Sequence, residues 1–545
     1  MSATTAIAGF HWVDYLIFAA TLLISVAIGI FYAIKDRSKN TPKEFLLGGR
    51  KMPVVPTALS LLVSFQSGIL ILGISSEMYM KGTNYFWYLL GILIGLPLAS
   101  IVYQPIFFKL KLTSAYEYLE LRFDSKLIRF IGTFLMIAST LFYMAIVLYA
   151  PAIALNQVSG VHLETLIIVS GVACTFYTAL GGLKAVVWTD AFQAVVMYAG
   201  LIAIILQGTI NVGGPQKVWD IAWDGGRIIT DFDPNPFAYM NFWSIVIGTA
   251  FGWMSVYGTS QAAIQRYTSL SSLRKAQLSL LLVIPGLFTL APLVFAAGLV
   301  MYAYYADCDP LKLKLVRTRD QLLPYFTVDI LGHIPGVPGI FLACLYSGTL
   351  STVSSGLNSI SAVVWEDIIK DTKWGSNLNP EQATRVNKIV SLLFGIVSIA
   401  LACIARFLGG VFQAALTVLS MLGGPLAGLF LFGMIFPWAN MVGALTGVLC
   451  SSGIMAWICI GAQIIKPFRK SLPRSIAGCS NATLQMAGLW ISSADTNFTI
   501  SNNETSAALV KLFGNKTAAA ATGFGDLMAN DTALSLMDAS NEDVT

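Results

Sequence analysis

Apolar positions come in long runs along this chain. They fall at about 12–34, 53–79, 85–108, 127–157, 163–180, 185–209, 242–263, 278–305, 334–364, 389–406, 411–436 and 441–464. A helix needs about 20 apolar residues to cross the hydrocarbon core of a bilayer. The pattern therefore predicts an all-α, polytopic membrane protein with about twelve spans, packed as one domain over residues 1–464. Beyond about 465 the chain turns polar. No run there is long enough to cross, and the low hydrophobicity predicts a disordered tail over 465–545.

Polar residues matter most where they interrupt these runs. The second run is cut at its middle by Ser64-Phe65-Gln66-Ser67-Gly68. Backbone groups in hydrocarbon must be satisfied internally, so a helix breaks at depth only where protein or a water-filled cavity takes over. In transporters such breaks build ion and substrate sites. The seventh run, five segments later, is likewise interrupted between Gly248 and Gln261, which suggests an inverted repeat. Gly248 and Gly252, four apart, read as close-packing positions.

The ninth run carries Tyr346-Ser347-Gly348-Thr349-Leu350-Ser351-Thr352-Val353-Ser354-Ser355-Gly356. A lone hydroxyl in a membrane helix bonds its own i−4 carbonyl; so many together call for more. Ser351 and Thr352, with carbonyls freed by the broken second run, suit a hard cation such as Na⁺. Charge inside the runs is scarce. Asp190 reads equally well as a functional carboxylate or as an interfacial residue paired with Lys184. Asp14 and Glu77, near span ends, read as interfacial. Tyr143 and Gln261 each either line a cavity or bond a neighbour.

Composition sharpens this picture. Only 11% of the 545 residues are charged and mean hydropathy is +0.72, so most of the chain belongs in lipid. Eighteen Lys and Arg residues fall in the first inter-span segment and alternate ones after it, among them Lys184 and Arg266, against eight in the opposite set. The positive-inside rule puts the N-terminus and the tail outside. Five Asn-x-Ser/Thr sequons, at Asn481, Asn497, Asn503, Asn515 and Asn530, agree with an external, glycosylated tail. Lys466, Arg469, Lys470 and Arg474 pull the other way. Cys308 and Cys479 both fall in segments placed outside, where a disulfide can form. A P-loop, a GxSxG elbow, an HExxH motif and a His–carboxylate cluster are all missing from the sequence. The chain therefore reads as a non-enzyme driven by an ion gradient.

Several stretches resemble the sodium/solute symporter family, in the branch of multivitamin, monocarboxylate and iodide transporters. They are Ala115 to Phe123, Phe176 to Asp190, Gln265-Arg266-Tyr267, and Pro335 to Gly339 leading to Ser347-Gly348-Thr349-Leu350-Ser351-Thr352. The resemblance spans about residues 12–464. It implies a LeuT-like fold with two inverted five-helix repeats, at about 53–209 and 242–436, plus peripheral helices. It implies a sodium site from the carbonyls of Val63, Gln66 and Gly348 with the hydroxyls of Ser351 and Thr352. A second sodium site draws on Ser64, Asp190, Gln193 and Gln261. The substrate touches Phe65, Ser67, Leu70, Tyr143, Phe412 and Leu416. Sugar-transporting relatives are polar where this chain has Ile69 and Leu70, and the iodide type has glutamine at Leu70. Branch members usually have a thirteenth span and a cytoplasmic C-terminus, which this sequence does not reach.

The expected function is sodium-coupled import of a small organic anion, of multivitamin or monocarboxylate type, across the plasma membrane by alternating access. Na⁺ is the coupling ion, with no organic cofactor and no nucleic-acid partner. The alternatives are an inorganic-anion symporter of the iodide type, or a channel or sensor on the same scaffold.

Overall fold

In the computed structural model, residues 10–37, 41–229, 235, 241–405, 411–465, 471–480 and 483–484 are described. The asparagines of the five sequons lie outside the described residues. Contacts divide the chain into two units.

The larger unit holds residues 7–304 and 319–472. It opens with α1 (Trp12–Lys35) and the short α2 (Pro42–Leu47). The second apolar run forms two helices, α3 (Val54–Ser64) and α4 (Gly68–Lys81), bent by 58° at the break. Next come α5 (Tyr88–Val102), α6 (Gln104–Leu110), α7 (Glu117–Phe123) and α8 (Lys126–Ser159). α9 (Leu163–Val212) runs for 50 residues, about 75 Å if straight, which is more than twice the hydrocarbon thickness. It breaks at Gly182, whose φ of 58° and ψ of −157° exclude a β-carbon. The fifth and sixth apolar runs are its two halves.

After α10 (Pro215–Asp224), the second half of the chain repeats the theme. α11 (Phe242–Thr259) and α12 (Gln261–Thr268) part at the extended residue Ser260. The helices α13 (Leu273–Leu281), α14 (Val283–Tyr304) and α15 (Leu322–Leu331) lead to α16 (Val337–Val363), which ends in a π-turn, Val364–Ile369. Then follow α17 (Pro380–Ile404), α18 (Val411–Val418), α19 (Gly424–Ile435) and α20 (Met441–Ile465).

Among the described residues nine helices are long and apolar enough to cross a membrane, or ten with the bent α3–α4 pair. α9, at 50 residues, is long enough to cross twice, and α11 with α12 covers the seventh apolar run, so the helices approximate the twelve spans that the apolar runs predict. Each set of five opens on a broken helix. α16 is the core element, with 94% of its most apolar window buried. α1 and α20 are the peripheral ones, at 22% and 6%, apolar on the faces that lipid covers.

Small residues do set one close crossing, but not those named from sequence. Among the described residues a β-carbon on Gly248 or Gly252 would meet nothing within 4 Å, so neither is a packing position there. The partner helix supplies the close approach instead. A β-carbon on Gly91 of α5 would lie 2.5 Å from the Thr249 β-carbon, and one on Gly95 would lie 2.4 Å from the Ala250 carbonyl oxygen.

The smaller unit includes Tyr305–Thr318 and the chain from Pro473. Cys308 and Cys479 are joined there as a disulfide. Asp309 accepts from Arg474 at 3.4 Å, and its backbone N–H donates to the Ser475 carbonyl at 3.0 Å.

Candidate ion and substrate site

Breaking the helix between Ser64 and Gly68 strips carbonyls of their i+4 donors. The Ser351 hydroxyl lies 3.0 Å from the Val63 carbonyl and 3.1 Å from that of Gly348. The Thr352 hydroxyl lies 3.0 Å from the Ser64 carbonyl and 3.0 Å from that of Gly348. Each hydroxyl has one proton to donate. The Val63 carbonyl also accepts the Gln66 N–H at 3.2 Å; even so, five buried oxygens, three carbonyls and two hydroxyls, converge with lone pairs to spare. Such a cluster is complementary to a dehydrated monovalent cation. Glycines permit the approach: a β-carbon on Gly348 would lie 2.9 Å from the Gly68 nitrogen and 3.0 Å from the Gln66 carbonyl oxygen.

A second buried cluster lies against the same segment. The Asp190 Oδ2 accepts from the Ser60 hydroxyl, from Ser64 Oγ at 3.2 Å and from Arg266 Nη2 at 3.1 Å. Arg266 also donates through Nε to Ser60 Oγ at 2.7 Å, through Nη1 to the Ala262 carbonyl at 2.8 Å and through Nη2 to Ser355. Both charges are fully buried. A buried carboxylate is tolerated only with such a partner. Its Oδ1 is buried with no hydrogen-bond partner among the described residues, and so is the Oε1 of Gln193 one turn further along α9.

Next to the break, aromatic side chains pack together. Phe65 meets the Tyr257 ring edge-on at 5.0 Å, and Tyr257 stacks on Trp253 at 5.5 Å. The Tyr257 hydroxyl donates to the Leu61 carbonyl at 3.1 Å, which ties the wall to the end of α3. Tyr143 of α8 donates to Ser67 Oγ at 3.2 Å. Phe412 of α18 lies over Gly73, where a β-carbon would fall 2.2 Å from its ring. Asp320 accepts from the Val411 N–H at 3.0 Å and so holds the start of α18. Burial pushes the Asp320 carboxyl up, and these backbone donors oppose the shift.

The structure thus brings Val63, Ser64, Gln66, Gly348, Ser351 and Thr352 together, and sets Asp190 beside Ser64. Phe65, Ser67 and Tyr143 meet at the break, and Phe412 lies against α4. Leu70 is half-buried one turn into α4, and Leu416, one turn beyond Phe412, is exposed. Gln261 does not join Asp190. Its amide donates to the Thr113 carbonyl and accepts from the Ala115 N–H.

Four sequence readings are corrected. Asp190 pairs with Arg266, not Lys184, which pairs with Asp36 and Glu44. Arg266, counted among loop charges, is buried at the centre. Asp14 is not interfacial; it is 1% exposed and accepts from the backbone N–H groups of Gly336 and Gly339, both at 2.9 Å. Glu77 is buried in an ion pair with Lys81 at 2.7 Å. The residues that sequence reasoning missed are Ser60, Ser355, Tyr257 and Trp253. Ser355 sits one turn beyond Ser351, a spacing already visible in the hydroxyl run.

Comparisons with known proteins agree with this geometry. The sodium:solute symporter family matches residues 45–451. Sodium-coupled monocarboxylate transporter 1 of Mus musculus is 44% identical over 505 residues, covering 92% of this chain and 82% of that protein. The sodium/iodide cotransporter of Homo sapiens is 40% identical over 481 residues, 87% and 74% of the two chains. The substrate-bound, outward-open structure of a Na⁺-coupled sialic acid symporter superposes with a TM-score of 0.72 at 25% identity, covering 85% of this chain and 99% of that one. The fold and site define a LeuT-fold secondary transporter of the membrane. The chain belongs to the sodium:solute symporter family, as a sodium-coupled symporter of a small solute and not an enzyme.

Proposed function

We propose that this chain imports a small organic anion of monocarboxylate type together with Na⁺, by alternating access at the plasma membrane. One observation carries the reading: five oxygens, three carbonyls and two hydroxyls, converge where α3 breaks against α16. In this reading Val63, Ser64, Gln66 and Gly348 offer carbonyls and Ser351 and Thr352 offer hydroxyls to one Na⁺. Ser64 Oγ, Asp190 and Gln193 serve a second, while Gln261 holds the 113–115 segment.

The anion sits beside the break, between Phe65, Ser67, Leu70 and Tyr143, with Phe412 and Leu416 from α18. The N-terminus of α4 has no side-chain cap, and the Gly68 and Ile69 N–H groups precede the first helical bond. A helix N-terminus attracts a carboxylate, and the Ser67 hydroxyl, which accepts from Tyr143, adds a donor. The apolar remainder of the wall favours an organic anion over a hydrated inorganic one. The relatives named as monocarboxylate transporters support the same class. The joined Cys308 and Cys479 support an external position for both segments, since disulfides persist in oxidising compartments. That agrees with an N-terminus outside. Inward charge movement contributes about 2.3 kcal/mol per elementary charge per 100 mV.

The test is uptake into proteoliposomes of labelled lactate, biotin, pantothenate and iodide under an inward Na⁺ gradient. Na⁺-dependent accumulation of lactate is the expected result. Accumulation indifferent to Na⁺ would sink the reading. Iodide uptake without lactate uptake would move it to the inorganic-anion alternative, and current without accumulation would move it to a channel.

A further inference from the structure

α1 lies outside both repeats, yet one stripe of it is buried: Asp14, Thr21, Leu22, Ser25 and Gly29. The spacing is that of a single helix face. At one end Asp14 caps α16 through Gly336 and Gly339. Phe18 packs on Tyr346 of α16, ring centroids 4.7 Å apart. At the other end Gly29 seats α1 directly on α9, since a β-carbon there would lie 2.6 Å from that of Tyr177. Ser25 sits between these anchors and faces Gln193.

The proton count at Ser25 decides which way Gln193 points. Ser25 donates its only proton to the Thr21 carbonyl at 3.1 Å. Toward Gln193 it can only accept. Gln193 Nε2 accordingly donates to Ser25 Oγ at 3.4 Å. A flipped amide would set carbonyl oxygen against a hydroxyl lone pair. With Nε2 held on α1, the Oε1 is left buried and without a donor among the described residues, one turn along α9 from the likewise unpartnered Oδ1 of Asp190. Burying acceptors without donors is destabilising, so this arrangement serves a ligand that brings positive charge and no lone pairs.

We propose that Ser25 is a positioning residue of the second cation site, which makes α1 part of the ion-binding machinery. The proposal rests on the assignment of Asp190 and Gln193 to that site. Ser25 does not touch the ion; it fixes the amide that does.

The experiment measures Na⁺ activation of uptake by the full chain in proteoliposomes, with Na⁺-dependent thermal stabilisation of the purified protein alongside. Ser25→Ala is expected to raise the half-saturating Na⁺ concentration about three- to tenfold, the worth of one oriented hydrogen bond, with uptake at saturating Na⁺ retained. Ser25→Thr keeps the acceptor and restores activation. Ser25→Val matches threonine in shape without the acceptor, and gives the same contrast should Ser25→Ala fail to accumulate. In a Gln193→Ala background, loss of the Ser25 hydroxyl adds no further rise, because both changes act through one amide. An unchanged half-saturating concentration in Ser25→Ala, equal behaviour of the threonine and valine variants, or full additivity with Gln193→Ala would each overturn the proposal. Asp190→Asn and Gln193→Ala separate the two levels. If they raise the Na⁺ requirement and Ser25 changes do not, only the role of Ser25 falls. If they also leave Na⁺ activation untouched, the cation assignment falls too.

Discussion

Replacing Gly348 with alanine adds one methyl group where the fold has left no room. Its carbon would lie 2.9 Å from the Gly68 nitrogen, 3.0 Å from the Gln66 carbonyl oxygen and 3.2 Å from the Ser67 carbonyl carbon. All three are backbone atoms of the broken segment, so no side chain can swing aside. Comfortable contact begins near 3.5 Å, so α16 and the segment must separate by roughly half an ångström. The contacts from Ser351 to the Val63 carbonyl and from Thr352 to the Ser64 carbonyl, both 3.0 Å, then stretch toward the limit of a hydrogen bond. Overpacking of this kind costs about 1–3 kcal/mol. Taken from the ion-bound geometry, that is roughly a 5- to 150-fold rise in half-saturating Na⁺.

The assay is the Na⁺ activation curve of substrate uptake for Gly348→Ala, with the thermal unfolding midpoint of the purified protein measured in parallel. Gly248→Ala is the matched control, because a methyl group there meets nothing within 4 Å. A Gly348→Ala curve that overlays the wild type would refute the argument that contact between α16 and the broken segment shapes the ion site. So would a lowered unfolding midpoint with Na⁺ activation unchanged, since the strain would then lie elsewhere.

Three further outcomes follow from the same geometry. Ser351→Ala combined with Thr352→Ala removes both hydroxyls and should abolish the Na⁺ dependence of uptake; ordinary sodium activation in that double variant would dismiss the site. Arg266→Ala leaves the Asp190 carboxylate buried without its counter-charge, a loss of about 3–5 kcal/mol, and should prevent accumulation of folded protein. Asp190→Asn with Arg266→Gln should restore accumulation without Na⁺ affinity, as size-exclusion profiles and uptake would show. Gly182→Ala forces a side chain onto a φ of 58° and sets its carbon 2.6 Å from the Phe45 carbonyl oxygen. It should lower the unfolding midpoint sharply, whereas Gly447→Ala, with nothing within 4 Å, should not.

What was legible in the amino-acid sequence was whatever depends on local composition. Twelve apolar runs gave the spans. Ser64 to Gly68 announced a break because a regular helix in lipid gains nothing from polar and glycine residues at its middle. The hydroxyl run of α16 pointed to its partner. Illegible were the features that depend on which distant residue comes close. Asp190 has Lys184 six positions away, yet its charge is met by Arg266 from the other repeat. Arg266 follows an apolar run immediately, so the pattern assigned it to a loop. Asp14 sits near a helix start, where a carboxylate commonly faces water; that it caps another helix depends on Gly339 lying directly against it. The glycines of α11 suggested a close crossing, but the groove is supplied by Gly91 and Gly95 of α5.

The two oxygen clusters are not independent, because one residue belongs to both. The Ser64 carbonyl accepts from Thr352 at 3.0 Å, while its hydroxyl lies 3.2 Å from Asp190 and 2.9 Å from Ser355. On α16 the partners fall in sequence along one face: Gly348, then Ser351 and Thr352, then Ser355 a turn later. Ser64 is also the last residue of α3, just before the backbone leaves the helix. An ion that draws the Ser64 carbonyl toward α16 therefore sets the direction of the Ser64 hydroxyl toward Asp190, and the reverse holds with equal force. By linkage each ion should raise the affinity for the other. Under the proposed function the substrate lies beside Phe65 and Ser67, the very next residues. Under that reading a break in one helix does three jobs at once: it leaves carbonyls for one cation, brings a hydroxyl to a second, and sets the N-terminus of α4 toward an anion. Coupling of Na⁺ to substrate then needs no long-range relay, since all three ligands favour one conformation of the same five residues.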